Sequence, residues 1–147
     1  MLAYALTIFT GAFLLFQVQP LIAKYILPWF GGGPGVWTTC MLFFQVLLLC
    51  GYAYAHLLIR NLRPRAQASI HLVLLTFAVA LLPITPGAGW KPQGAGDPVI
   101  GILTLLAACV GCQGLVLSST GPLLQRWFHM ARPEASPYPL YALSNLG

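Results

Sequence analysis

Apolar residues come in long blocks along this chain, and polar residues come in short ones between them. Four apolar blocks stand out, at about 2–29, 36–59, 69–84 and 99–120. The second and fourth contain no formal charge. A helix needs about 20 apolar residues to cross a bilayer core. The pattern therefore predicts an all-α, polytopic helical membrane protein with four transmembrane helices. The third block is the shortest, and it must cross if the loops flanking it face opposite sides. A further stretch, 138–147, reads as the start of a fifth helix after a proline-rich turn.

Composition agrees with the pattern. The chain is 59% hydrophobic and 6% charged, with a mean hydropathy of +0.82. Soluble domains carry about 25% charged residues, so two acids and seven bases cannot cover a water-facing surface. Residues 1–10 hold no Lys or Arg, so the first block lacks the basic start of a cleavable signal and reads as a retained helix. The net charge of +5 is no sign of nucleic acid. No basic stripe interleaved with aromatics occurs, as such binding requires.

The bases instead orient the chain. Arg60, Arg63 and Arg65 lie in one loop and Arg126 and Arg132 in another, whereas the loop between them holds Lys91 and Asp97. The positive-inside rule puts the arginine loops and the N-terminus in the cytoplasm. The lipid bilayer is thus the first expected partner. An apolar stub such as 138–147 cannot span alone. The whole of 1–147 is therefore expected to be a single, truncated membrane-embedded region of a longer protein.

Candidate chemistry begins where the first block turns polar. Gln17 and Lys24 are seven residues apart and share a helical face. Pro20 removes one backbone donor and crowds the carbonyl of Phe16. A helix broken at Pro20 would line a protected polar cavity with Gln17, Lys24 and that carbonyl, as in transporter sites. In the plainer reading Lys24 snorkels to the headgroups and the glutamines bond neighbouring helices.

In the second block Gln45, Tyr52 and His56 share a face, which is expected to meet the bundle. Gly51 and Ala55 form a small-xxx-small pair that permits close helix approach. Candidate substrate-binding residues are therefore Gln17, Lys24, Gln45 and His56. Cys109 and Cys112 have the C-x-x-C spacing of metal and redox sites. They have no second cysteine pair, and with Ala107, Gly111 and Gly114 they read better as a close-packing face. "SSTGP" (118–122) reads as the end of the fourth helix, its Gly121-Pro122 either a stop or a kink into a basic, amphipathic interfacial segment.

Catalysis finds no constellation here. Asp97 and Glu134 are the only acids, and they fall in loops expected on opposite sides of the membrane. No Gly-x-Ser-x-Gly and no His-Glu-x-x-His occurs. No cofactor is expected.

The segments "FQVQPLIAKYILPWFGGGPGVW", "GYAYAHLL", "SSTGPLLQRWF" and "PYPLYALSNLG" resemble the N-terminal membrane region of the bacterial fused MFS/spermidine synthase family, also called spermidine synthase-like membrane proteins. The resemblance covers nearly the whole chain. It implies a partial MFS-like bundle in the bacterial inner (plasma) membrane. It also implies remaining helices and a C-terminal soluble domain, aminopropyltransferase-like and Rossmann-type, as further partners beyond residue 147. The implied role is binding or transport of a small polar or amine-related solute, or else membrane anchoring of the downstream domain without transport. The facilitator pattern Gly-x-x-x-Asp-Arg-x-Gly-Arg-Arg is met in "HLLIRNLRPRA" by its basic character, with Arg60, Arg63 and Arg65, but without the acid and the second glycine.

An antibody raised against residues 125–137 is expected to reveal, in membranes of the source organism, a band far above 15.9 kDa. A band at the mass of this chain would remove the downstream-enzyme expectation.

Overall fold

The computed structural model describes residues 2–92, 96–134, 138 and 140–142. The described residues form helices and connecting turns: α1 (Leu2–Ile26), a 3-10 turn (Leu27–Phe30), α2 (Pro34–Asn61), α3 (Pro64–Ala80), a second 3-10 turn (Ala88–Trp90) and α4 (Pro98–Ala131). Residues 138 and 140–142 are also helical. Among the described residues, three stretches are long and apolar enough to cross a membrane: Leu2–Phe30, Pro34–Asn61 and Pro98–Ala131. α3 has 17 residues, a rise of about 25 Å, and is not among them.

Proline sets where these helices begin. Pro34, Pro64 and Pro98 each sit in the first turn of α2, α3 and α4. There the missing N–H costs nothing and the fixed φ suits the helix. Asp97 completes the start of α4, its carboxylate accepting from the Val99 N–H at 2.8 Å. The exit from the first 3-10 turn needs glycine. Gly31 and Gly32 have φ of +86° and +67°, and the Gly32 N–H donates to the Leu27 carbonyl at 3.0 Å.

Proline inside a helix behaves differently from the expectation. The predicted break at Pro20 is absent, and α1 runs through it to Ile26. One lost hydrogen bond costs less than a full break, which would strip several backbone groups of partners in an apolar medium. The predicted stop at "SSTGP" is also absent. α4 continues through Pro122 to Ala131, so the segment expected to lie at the interface is its last turns. Leu123 and Phe128 are fully buried, and their packing holds the extension. α3 spans 64–80 instead of 69–84, because Pro64 starts it a turn earlier.

α4 is the central helix, in contact with α1, α2 and α3. The largest core cluster joins Ile22, Ala23 and Ile26 of α1, Cys40, Phe44 and Leu47 of α2, and Leu105, Leu106 and Val110 of α4. α2 and α4 run parallel: Leu47 meets Gly114, and four residues on in both helices Gly51 meets Ser118. α1 is antiparallel to α4, with Phe30 near Gly101 and Ile8 against Phe128. The outward faces of α1, α2 and α3 remain apolar, as at Phe16, Leu21, Leu49, Leu72, Val73 and Phe77. Such a surface suits hydrocarbon.

The tightest point is Gly51. A Cβ there would lie 2.7 Å from the Ser118 Cβ and closer still to its hydroxyl. Gly51→Ala is expected to destabilise the bundle by about 1–3 kcal/mol, the usual cost of overpacking. Adding Ser118→Gly should recover part of that loss. A double-mutant cycle read by thermal unfolding in detergent checks it, and strictly additive effects would contradict the contact.

Candidate functional site

α1 is pinned to the bundle at two levels. Ile22, Ala23 and Ile26 hold one level in the main core. Ile8 holds the other, against Phe128 and Leu140. Between them Gly11 and Ala12 are too small to fill the gap. The result is a cavity of about 480 Å³ between α1, α2 and α4. A Cβ added to Gly11 or to Gly121 would meet nothing within 4 Å, which marks open space on both walls. The polar lining is Thr7, Tyr52, His56, Ser118, Thr120 and Gln125, with Tyr141 also on the wall. This size is that of a small-molecule site.

Only one of the four candidate binding residues lines it. His56 does so and Gln17, Lys24 and Gln45 do not; all four are exposed. The predicted polar stripe on α2 therefore does not meet the bundle as a unit. The face of α2 that packs on α4 is Leu47, Gly51, Ala55 and Leu58, about a quarter turn or more from the stripe. Tyr52 and His56 reach the cavity, but Gln45, on the same face, lies about 10 Å further along α2, beyond its lining. The small-residue face expected on α4 is also narrower: Gly114 is covered by Leu47, but Gly111 has nothing within 4 Å and Ala107 is exposed. Cys109 and Cys112 are half-buried free thiols. Among the described residues, no group of three or more His, Cys, Asp or Glu could hold a metal ion.

The buried polar chemistry lies where the sequence reading did not place it, between α3 and α4. Gln67 and His71 are buried. Trp127 Nε1 donates to Gln67 Oε1 at 2.8 Å, and Gln67 Nε2 donates to the Leu62 carbonyl at 2.8 Å. His71 Nε2 is 3.0 Å from Thr120 Oγ1. Gln113 Nε2 donates to the Ala78 carbonyl at 3.3 Å. These rungs make α3 antiparallel to α4. Trp127, in the segment expected to lie at the interface, belongs to this seam. A signal was present: Gln113, Thr120 and Trp127 recur every seven residues, and Gln67 and His71 are four apart.

The seam and the cavity share Thr120. Its hydroxyl donates to the Val116 carbonyl at 2.6 Å. One proton cannot serve two acceptors, so toward His71 the Thr120 oxygen accepts. His71 therefore carries a proton on Nε2. Its Nδ1 and the hydroxyl of neighbouring Tyr54 are buried without a hydrogen-bond partner among the described residues. The Tyr54 and His71 rings lie 6.2 Å apart. Neither acid enters the cavity: Asp97 caps α4 and Glu134 lies beyond its end.

Comparison with protein-family models, with curated proteins and with solved structures finds no match for this chain.

In ¹⁵N spectra of the histidine-labelled protein, the His71 ring is expected to carry its proton on Nε2. Thr120→Val should move that resonance and lower stability by about 1 kcal/mol, the net value of a buried neutral hydrogen bond. A proton on Nδ1 alone would contradict the assignment.

Proposed function

We propose that this chain is a membrane-spanning bundle that binds a small polar solute between α1, α2 and α4. One observation carries the reading: a cavity of about 480 Å³ with Thr7, Tyr52, His56, Ser118, Thr120, Gln125 and Tyr141 on largely apolar walls. Apolar pockets with a few convergent polar groups are where small molecules bind. A polar wall at membrane depth is retained where it lines a cavity or meets protein. His56 is the candidate binding residue that stays in this reading.

In this proposal the chain crosses the membrane four times, with its N-terminus in the cytoplasm of a bacterial inner membrane. The parallel course of α2 and α4 supports that count. After α2 the chain must return to the opposite side before α4 can begin, and only α3 and residues 81–97 are available to do so. The arginines support the orientation, since Arg60, Arg63 and Arg65 flank one end of α2 and α3 and Arg126 and Arg132 flank the same end of α4. The wider assignment, the membrane part of a spermidine synthase-like fused protein, rests on the sequence resemblance.

A second reading is favoured by the exposure of Gln17, Lys24 and Gln45. Glutamines on an outward face are suited to hydrogen-bonding further helices. In that case the chain serves as a scaffold for the remainder of a larger protein and moves nothing.

Gly11→Leu separates the two. The new side chain fills the cavity, leaves every polar group in place and improves helix propensity. Solute retention by the purified chain in nanodiscs, screened with small amines, amino acids and carboxylates, is expected to fall at least about tenfold, a loss of about 1.4 kcal/mol. Circular dichroism should be unchanged. Undiminished retention would refute binding in this cavity and leave the scaffold reading.

A further inference from the structure

The geometry points to a small anion, a carboxylate or a phosphate, as the solute class of the cavity, admitted past Arg126 and His129. This inference rests on the solute-binding reading and names its ligand class. A second recess of about 290 Å³, lined by Pro122, Gln125, Arg126, His129 and Tyr141, adjoins the cavity. Pro122, Gln125 and Tyr141 line both spaces, so the two lie side by side. In this proposal the path into the cavity runs along the last turns of α4, beside a guanidinium and an imidazole. Inside, His56 and Gln125 add further donors.

Charge along this path has one sign. Among the described residues, no carboxylate lines either space. The chain's two acids lie elsewhere, Asp97 at the far end of α4 and Glu134 past its near end. An amine would enter with no counter-charge and only neutral acceptors, hydroxyls, the Gln125 amide and tyrosine rings, to receive it, at the cost of desolvation. A carboxylate or phosphate would meet the planar donor fork of Arg126, which matches its oxygens two at a time. The C-terminal end of α4 opposes an anion with roughly half a charge. Arg126 supplies a full one, and His129 and Gln125 supply donors, so the balance favours the anion. Basic recesses between helices at a cytoplasmic face also receive lipid headgroups, and the same chemistry would serve a headgroup phosphate.

The experiment uses the chain in phosphatidylcholine nanodiscs, with equilibrium dialysis against inorganic phosphate, succinate and putrescine as probes. At least one anion is expected to bind. Arg126→Gln, a change at an exposed site, should weaken that binding about tenfold or more at unchanged helicity, and Arg126→Lys should restore part of it. Retention of putrescine without either anion would overturn the anion assignment and leave solute binding standing. Anion binding indifferent to Arg126→Gln would overturn the route past Arg126. Failure of all three probes, with Arg126-dependent retention of phosphatidylglycerol in mixed nanodiscs, would assign the site to a lipid headgroup and overturn the free solute. Failure of every probe and lipid would overturn both readings.

Discussion

The close approach of α2 and α4 at Gly51 governs the arrangement of this protein. Between apolar helices in an apolar medium there is no hydrophobic force to draw them together, so association depends on close van der Waals contact. Gly51 supplies it by leaving room for Ser118 against its backbone, and Gly114 does the same for Leu47. These contacts set α2 and α4 parallel. From that follows the return path of α3, and from the width of the α2–α4 pair follows the groove over which α1 lies.

α3 is attached by different means. It is short, most of its surface is exposed, and its buried residues are Gln67, His71 and Ala78. Hydrogen bonds to Trp127, Thr120 and Gln113 hold it to α4. Each is worth on the order of 1 kcal/mol, and together they set its register where apolar packing is sparse. Thr120 is the point at which this seam touches the cavity. Two polar tasks therefore fall on one residue, which fastens α3 on one side and forms cavity wall on the other.

The cavity arises from the way α1 is held. Its large core residues lie toward its two ends, and Gly11 and Ala12 lie between them. A well-packed interior leaves few voids larger than a water molecule, so a gap of this size between otherwise well-seated helices is what the solute-binding proposal rests on. Its electrostatics come from which charges are missing as much as from those present. With Asp97 at the far end of α4 and Glu134 past its near end, neither acid lines the space beside Arg126 and His129.

The apolar blocks, the low charge and the small pair Gly51/Ala55 were legible in the sequence because they need only local periodicity and composition. They determined long apolar helices and a point of close contact. Periodicity could not tell how neighbouring faces are assigned. Gln45, Tyr52 and His56 share a stripe, yet only two of them line the cavity, because Gln45 lies about 10 Å up the helix from Tyr52, past the point where the space beside α1 closes. Pro20 and Pro122 looked like breaks, since a local rule weighs one lost hydrogen bond and cannot weigh the medium or the burial of Leu123 and Phe128. The buried polar seam joins residues some 35 to 60 positions apart, and the cavity joins α1 to α4 across most of the chain. Such partners are chosen by packing in three dimensions, so the sequence alone determined the helices, and the tertiary structure decided which polar residues face one another.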